Sequence, residues 1–203
     1  AKIEYTKPGS GIHVETSERV KFITDDMYRQ ALETAGVKDA DITVDAPVNV
    51  SGTAALTGIM KAYEVTSGKK ISDDVKKAAN EEMVVTSELA NDVGAEKATG
   101  FVKEVKEQIA AKAPKSREEV QSIIVNISNE FNINLSEQQR DDLTNFFDRL
   151  RKTDIDWNGI ADKAKGAANQ AKDYLGSDEG QSLLMSIKNG FGRFIDWFAS
   201  LFR

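Results

Sequence analysis

Cysteine is absent from this 203-residue chain, histidine occurs once and proline three times. Without cysteine there is no disulfide framework and no thiolate chemistry. With His13 as the sole imidazole, no zinc site or Ser-His-Asp triad with a second imidazole can be assembled. No apolar run is long enough to span a bilayer. Basic residues are outnumbered by acidic ones, 27 against 33, giving a net charge of −6 and a pI near 5.0. That balance argues against nucleic acid, which needs a concentrated basic face. There is no internal repeat and no low-complexity tract. The chain opens at Ala1 with neither an initiator methionine nor a signal peptide, as expected of a processed or trimmed polypeptide. With 40% hydrophobic and 30% charged residues, its 22.3 kDa suffices for one large domain or two small ones with a real core.

What is present is clear segment patterning. Lys2–Thr6 predicts a short strand, stopped by the turn cluster Pro8-Gly9-Ser10-Gly11. Ile12–Val14 and Val20–Ile23 predict two more strands around the polar turn Glu15–Arg19. Thr24 is placed to cap a helix over Asp25–Ala35, with Asp25 and Asp26 in the first turn where the helix dipole favours them. From Asp41 onward, Ile42, Val44 and Ala46 alternate with Asp41, Thr43 and Asp45, the period of a half-buried strand. Pro47 interrupts the ladder, so the strand is an edge, or bends and resumes at Val48 and Val50. Ser51 or Thr53 can then cap a helix with Leu56, Ile59, Met60 and Tyr63 on one face.

From Ser72 the pattern is helical. Ser72 caps a helix reaching about Ala90, and a second runs from about Ala95 to Lys112, closed by Pro114. Ser116 with Glu119, and Ser136 with Gln139, read as capping boxes before the apolar runs Val120–Phe131 and Leu143–Leu150. Phe101, Ile124, Ile127, Phe131 and Phe147 are the expected helical core. Asp154–Leu175 predicts an alanine-lined helix. The last helix spans about Glu179–Phe202. The expected fold is α+β: a small mixed sheet with two helices at 1–66, a helical bundle at 67–152, and a helical C-terminal region at 153–203.

Several stretches carry a resemblance. Thr34-Ala35-Gly36-Val37-Lys38-Asp39-Ala40, Ala46-Pro47 and Val50-Ser51-Gly52-Thr53-Ala54-Ala55-Leu56-Thr57-Gly58-Ile59 resemble a family of secreted Firmicute proteins described only as a domain of unknown function. The similarity continues through Gly68–Ile71, Ala79–Glu88 and Asn132–Gln138, covering about Gly11 to Leu150. It implies an extracellular or cell-surface location. The family has no established catalytic or binding residue to carry over.

Each chemical motif has a plainer structural reading. The turn at Val50–Thr53 matches neither GxGxxG nor GxxxxGK[ST], so Gly52 is assigned to the turn and Gly58 to close packing. Asp154-Ile155-Asp156-Trp157-Asn158-Gly159 opens like a calcium loop, but Lys165 stands where the bidentate glutamate belongs. Capping by Asp156 explains it better. The acidic pairs, Glu81-Glu82 among them, are assigned to helix starts and solvated faces. No catalytic residue, metal or cofactor is therefore expected.

The C-terminal helix stands apart. Leu184, Ile187, Phe191, Phe194, Ile195, Phe198, Leu201 and Phe202 fall on one face at helical spacing, with Trp197 at its edge. Lys188, Arg193 and Arg203 outnumber Asp196 there. Such a face suits a protein partner, self-association, a membrane surface or the chain's own core. The functional expectation is a non-catalytic, secreted or cell-surface binding or structural protein of a Gram-positive bacterium. The alternatives are a host-interaction protein binding a soluble host protein such as immunoglobulin, and a carboxylate-dependent hydrolase acting on the cell envelope.

Overall fold

Alternation builds the sheet. Along β3 (Ala40–Val44), Ala40, Ile42 and Val44 are buried while Asp41 and Thr43 face solvent. In the computed structural model, which describes the backbone of residues 1–176 and the side chains of residues 1–166, β3 is the middle strand of three. β1 (Lys2–Tyr5) pairs with it antiparallel, Lys2 opposite Thr43. β2 (Ile12–Thr16) pairs with it parallel, Ile12 opposite Ala40. The parallel pair requires a crossover, supplied by α1 (Asp25–Thr34), and α2 (Thr53–Ser67) follows β3. His13 is exposed on β2, as its place between Ile12 and Val14 predicts.

Three local expectations change. β3 is central rather than an edge, because it ends at Val44, before Pro47 can remove a ladder hydrogen bond. Val20–Ile23 forms no strand, since β3 leaves it no continuous neighbour; only one bridge, Val20 to Val50, resumes the pairing. Neither Ser51 nor Thr53 caps α2. Gly52 holds the N-cap at φ +105° without any side-chain bond.

The helices of the second half lie close to their predicted bounds: α3 (Asp73–Val93), α4 (Ala95–Lys112), α5 (Arg117–Glu130) and α6 (Glu137–Leu150). Their starts are chemically marked. Ser72 accepts from the Val75 amide, and Ser136 with Gln139 forms a complete capping box. Ser116 makes only half of one, because the Glu119 carboxylate accepts from the Lys115 amide rather than from the cap's own. The fold is α+β, a three-stranded sheet followed by a helical bundle.

Residues 1–157 form one compact unit and residues 158–203 another. The first has two apolar clusters. One joins the sheet to α1, α2 and the first half of α3, around Tyr28, Leu32, Ile42, Leu56 and Met83. The other joins α4, α5 and α6 to Ala78 and Leu89 of α3, around Phe101, Val105, Ile124, Ile127 and Phe147. Phe131 sits at the rim of the second, half-buried, its ring edge-on to Phe101 at 6.2 Å. Of the second unit, helix α7 (Trp157–Gly176) is described from residue 158 onward. Leu184, Ile187, Phe191, Phe194, Ile195, Trp197, Phe198, Leu201 and Phe202 lie outside the described residues.

Two expected outcomes follow from this packing. Ile127→Ala should destabilise the protein by about 2–5 kcal/mol, through lost burial and the cavity left behind. An unchanged thermal melt would remove Ile127 from the core. Glu64 closes the α2–α3 turn, accepting from Lys76 Nζ at 2.8 Å and from the Ile71 amide at 3.0 Å. Lys76, and then that amide, hold the Glu64 carboxyl below its ordinary range. Its folded pKa being depressed, its contribution is complete above the unfolded value of about 4.3 and is lost as pH falls through the folded one. Glu64→Gln should therefore flatten the fall of melting temperature on acidification below about pH 4.3. Acid limbs of equal slope in the two proteins would contradict this.

Candidate functional site

Parallel strands of an α/β unit lead into helices at their carboxyl ends, and ligands of open sheets gather there. Here β2 runs into α1 through residues 17–24, and β3 into α2 through residues 45–52. The two connections are sewn together. The Val50 amide donates to the Arg19 carbonyl and the Lys21 amide to the Val50 carbonyl, both at 2.9 Å. The amides of Phe22 and Ile23 reach the Ser51 carbonyl at 3.4 and 3.3 Å. Arg19 Nη1 donates to the Ala46 carbonyl at 2.9 Å and pairs with Asp45 at 3.3 Å.

Beneath this double loop, Gly52 is buried against Val20, Ile23 and Tyr28. A Cβ at Gly52 would stand 2.6 Å from Val20 Cγ1 and 2.9 Å from Tyr28 Oη. With φ at +105°, the position requires glycine twice over: for conformation and for space. The Tyr28 hydroxyl donates to the Gly52 carbonyl, and burial pushes the phenol up to about 12. Tyr28 therefore remains a donor throughout the neutral range.

The same double loop exposes large apolar side chains. Phe22 is 61% exposed, Val48 64% and Val50 37%. Half of the six large exposed hydrophobics among the described residues sit here. The cause is local. Thr24 caps α1, so Ile23 precedes the cap and Tyr28 lies at the fourth helical position; both are buried, the arrangement of a hydrophobic staple. Once Ile23 turns inward, its neighbour Phe22 is left facing water. Reading Val20–Ile23 as a strand conceals this, although two adjacent apolar residues before a cap are the signal that could reveal it. The same two connections carry four exposed charged residues of mixed sign, Glu18, Arg19, Lys21 and Asp45.

A second feature departs from its sequence assignment. Glu82, expected on a solvated face, is 1% exposed and lies on α3 against Lys106 of α4, which is 4% exposed. Their separation is 2.5 Å. Thr34 of α1 donates to the other Glu82 oxygen at 2.5 Å and accepts from Lys106 at 3.0 Å. Two opposite charges, each interrupting an apolar helical stripe, are the signal in the sequence: Glu82 between Ala79 and Leu89, Lys106 between Val102 and Ile109. Every carboxylate oxygen and the ammonium are occupied, so the cluster has no free group to offer a substrate. Among the described residues, no group of three or more His, Cys, Asp or Glu side chains is arranged to hold a metal ion. The Asp154–Gly159 stretch leads into α7, with Asp156 Oδ2 paired to Lys38 Nζ at 3.1 Å.

The fold and surface thus define a small βαβ sheet module built onto a helical bundle, with a stiff apolar double loop at the carboxyl end of its parallel strands. The chain belongs to the family described as "Protein of unknown function (DUF1002)", whose model matches residues 1–167. It is 39% identical over 202 residues to the "Uncharacterized protein YpuA" of Bacillus subtilis (strain 168), covering 99% of this chain and 67% of that protein. No solved structure matches it significantly.

Gly52→Ala should destabilise the protein by about 2–4 kcal/mol, combining backbone strain with overpacking against Val20 and Tyr28. Gly58→Ala is the contrast: no atom lies within 4 Å of its added methyl, so the helix should be held or slightly strengthened. Equal melts for the two variants would contradict the crowding at Gly52.

Proposed function

We propose that this protein is a non-catalytic binding module of the Gram-positive cell exterior, engaging a protein partner through Phe22, Val48 and Val50. The observation that carries this reading is the exposure of three large apolar side chains on loops held rigid by mutual hydrogen bonds. A stiff apolar centre with a mixed charged rim is the anatomy of a protein–protein contact, and rigidity limits the entropy lost on binding. The charged residues of the two connections, Glu18, Arg19, Lys21 and Asp45, carry no net charge, which favours a protein surface over an anionic membrane. The exterior location is supported by the family resemblance. The apolar residues from Leu184 to Phe202 are assigned to association as well, on their sequence pattern.

A photo-crosslinking residue at position 22, in the protein expressed in a Gram-positive host, should give a discrete adduct with one protein partner. The same residue at exposed Asn126 on α5 should give none. Val48→Ser should diminish the position-22 adduct by about tenfold or more, the loss of an anchor worth over 1 kcal/mol. Indiscriminate labelling at both positions would overturn the binding surface. Recovery of the protein in the cytosolic fraction alone would overturn the location.

A further inference from the structure

Helix α1 meets α4 through polar groups. Gln30 Nε2 donates to the Thr99 carbonyl at 3.1 Å, and Lys106 Nζ reaches Thr34 Oγ1 at 3.0 Å and the Gln30 carbonyl at 3.4 Å. Glu82, from α3, completes the layer. All five residues are buried. The apolar side chains of α1 belong to the first cluster, while Ala98, Phe101, Val102, Val105 and Ile109 of α4 belong to the second. Half-buried Ala90 and Ile155 join the clusters at their margins, and Ala95, at the first turn of α4, packs at the edge of the first. The layer is thus a polar seam between two dry cores, and Gln30 Oε1 within it has no hydrogen-bond partner.

We infer that the molecule opens along this seam without unfolding, α1 and the sheet swinging away from α4 about α3, which belongs to both apolar cores and keeps each of them closed. Separating an apolar interface exposes hydrocarbon to water with nothing gained in return. Separating this one restores hydration to an ammonium, a carboxylate and an orphaned amide oxygen. The desolvation cost of a buried pair is comparable to its attraction, so the seam holds little net free energy for its area. The lowest-cost opening of a domain follows its weakest cooperative boundary. Here that boundary lies at Gln30, Thr34, Glu82, Thr99 and Lys106. The inference is independent of the binding surface and needs no partner to test.

The absence of cysteine supplies the test, since any thiol introduced is the only one. Thr99→Cys places a thiol in the seam, whereas Ala79→Cys and Ala98→Cys place one in the first and second cores. Under native conditions the Thr99→Cys variant should react with a thiol reagent about tenfold or more faster than either control, at a rate nearly independent of low denaturant. Ala98 precedes Thr99 in the same turn of α4, so fraying of that helix would expose both positions equally. Labelling of Thr99→Cys no faster than Ala98→Cys would by itself overturn the proposal. With Glu82→Leu and Lys106→Met added, Thr34 is free to bond back to the Gln30 carbonyl. The thiol at position 99 should then slow toward the controls while the melting temperature holds or rises. Faster labelling with a lower melting temperature would mean that the pair strengthens the seam, and the inference would fail.

Discussion

A charge that is taken out of water must find its partner within hydrogen-bonding distance, and the pair Glu82–Lys106 imposes that condition on three helices at once. Thr34 of α1 both donates to the carboxylate and accepts from the ammonium, so α1 cannot slide along α3 or α4 without stripping each buried ion of a hydrogen bond. Apolar contacts alone tolerate small shifts, because they depend on area rather than direction. The polar layer therefore fixes register, and the two clusters on either side supply the free energy. Helix α3 is the element common to both, with Ala79 and Met83 in one cluster and Leu89 in the other.

Directional bonding also explains why the apolar loop surface can persist. An exposed Phe22 on a floppy loop would fold back to bury its ring. Here the Arg19 carbonyl, the Lys21 amide, both backbone groups of Val50 and the Ser51 carbonyl are paired across the two connections, and Gly52 beneath them has no room for even a methyl group. The resemblance motif around Val50–Gly58 covers this same turn. What the motif encodes structurally is a backbone that only glycine can adopt, pressed against a tyrosine hydroxyl.

Periodicity makes most of the architecture readable from the residues alone. Helices α3 to α6 announce themselves through capping residues and apolar stripes, and both signals are local. What escapes is non-local. Whether β3 is central or an edge depends on which strands flank it, and Pro47 misleads because it lies beyond the pairing rather than within it. Glu82 and Lys106 each look like solvated charges when their helices are read singly. Only bringing α3 beside α4 makes them partners. Phe22 is misassigned for a related reason, since strand periodicity and the staple at Ile23 compete for the same four residues and the cap at Thr24 decides.

Helix α1 serves both features through different faces. Tyr28 reaches the Gly52 carbonyl under the double loop, while Gln30 and Thr34 reach α4. The loop-side bonds are reinforced by apolar packing around Val20 and Ile23; the α4-side bonds lie in a layer that hydration can replace. Strain applied to α1 therefore yields first on the α4 side. The double loop would travel with α1 as one body, keeping its apolar surface in shape while its orientation relative to α4–α6 changes. In this fold, rigidity of the surface and freedom at the seam come from the same ten-residue helix.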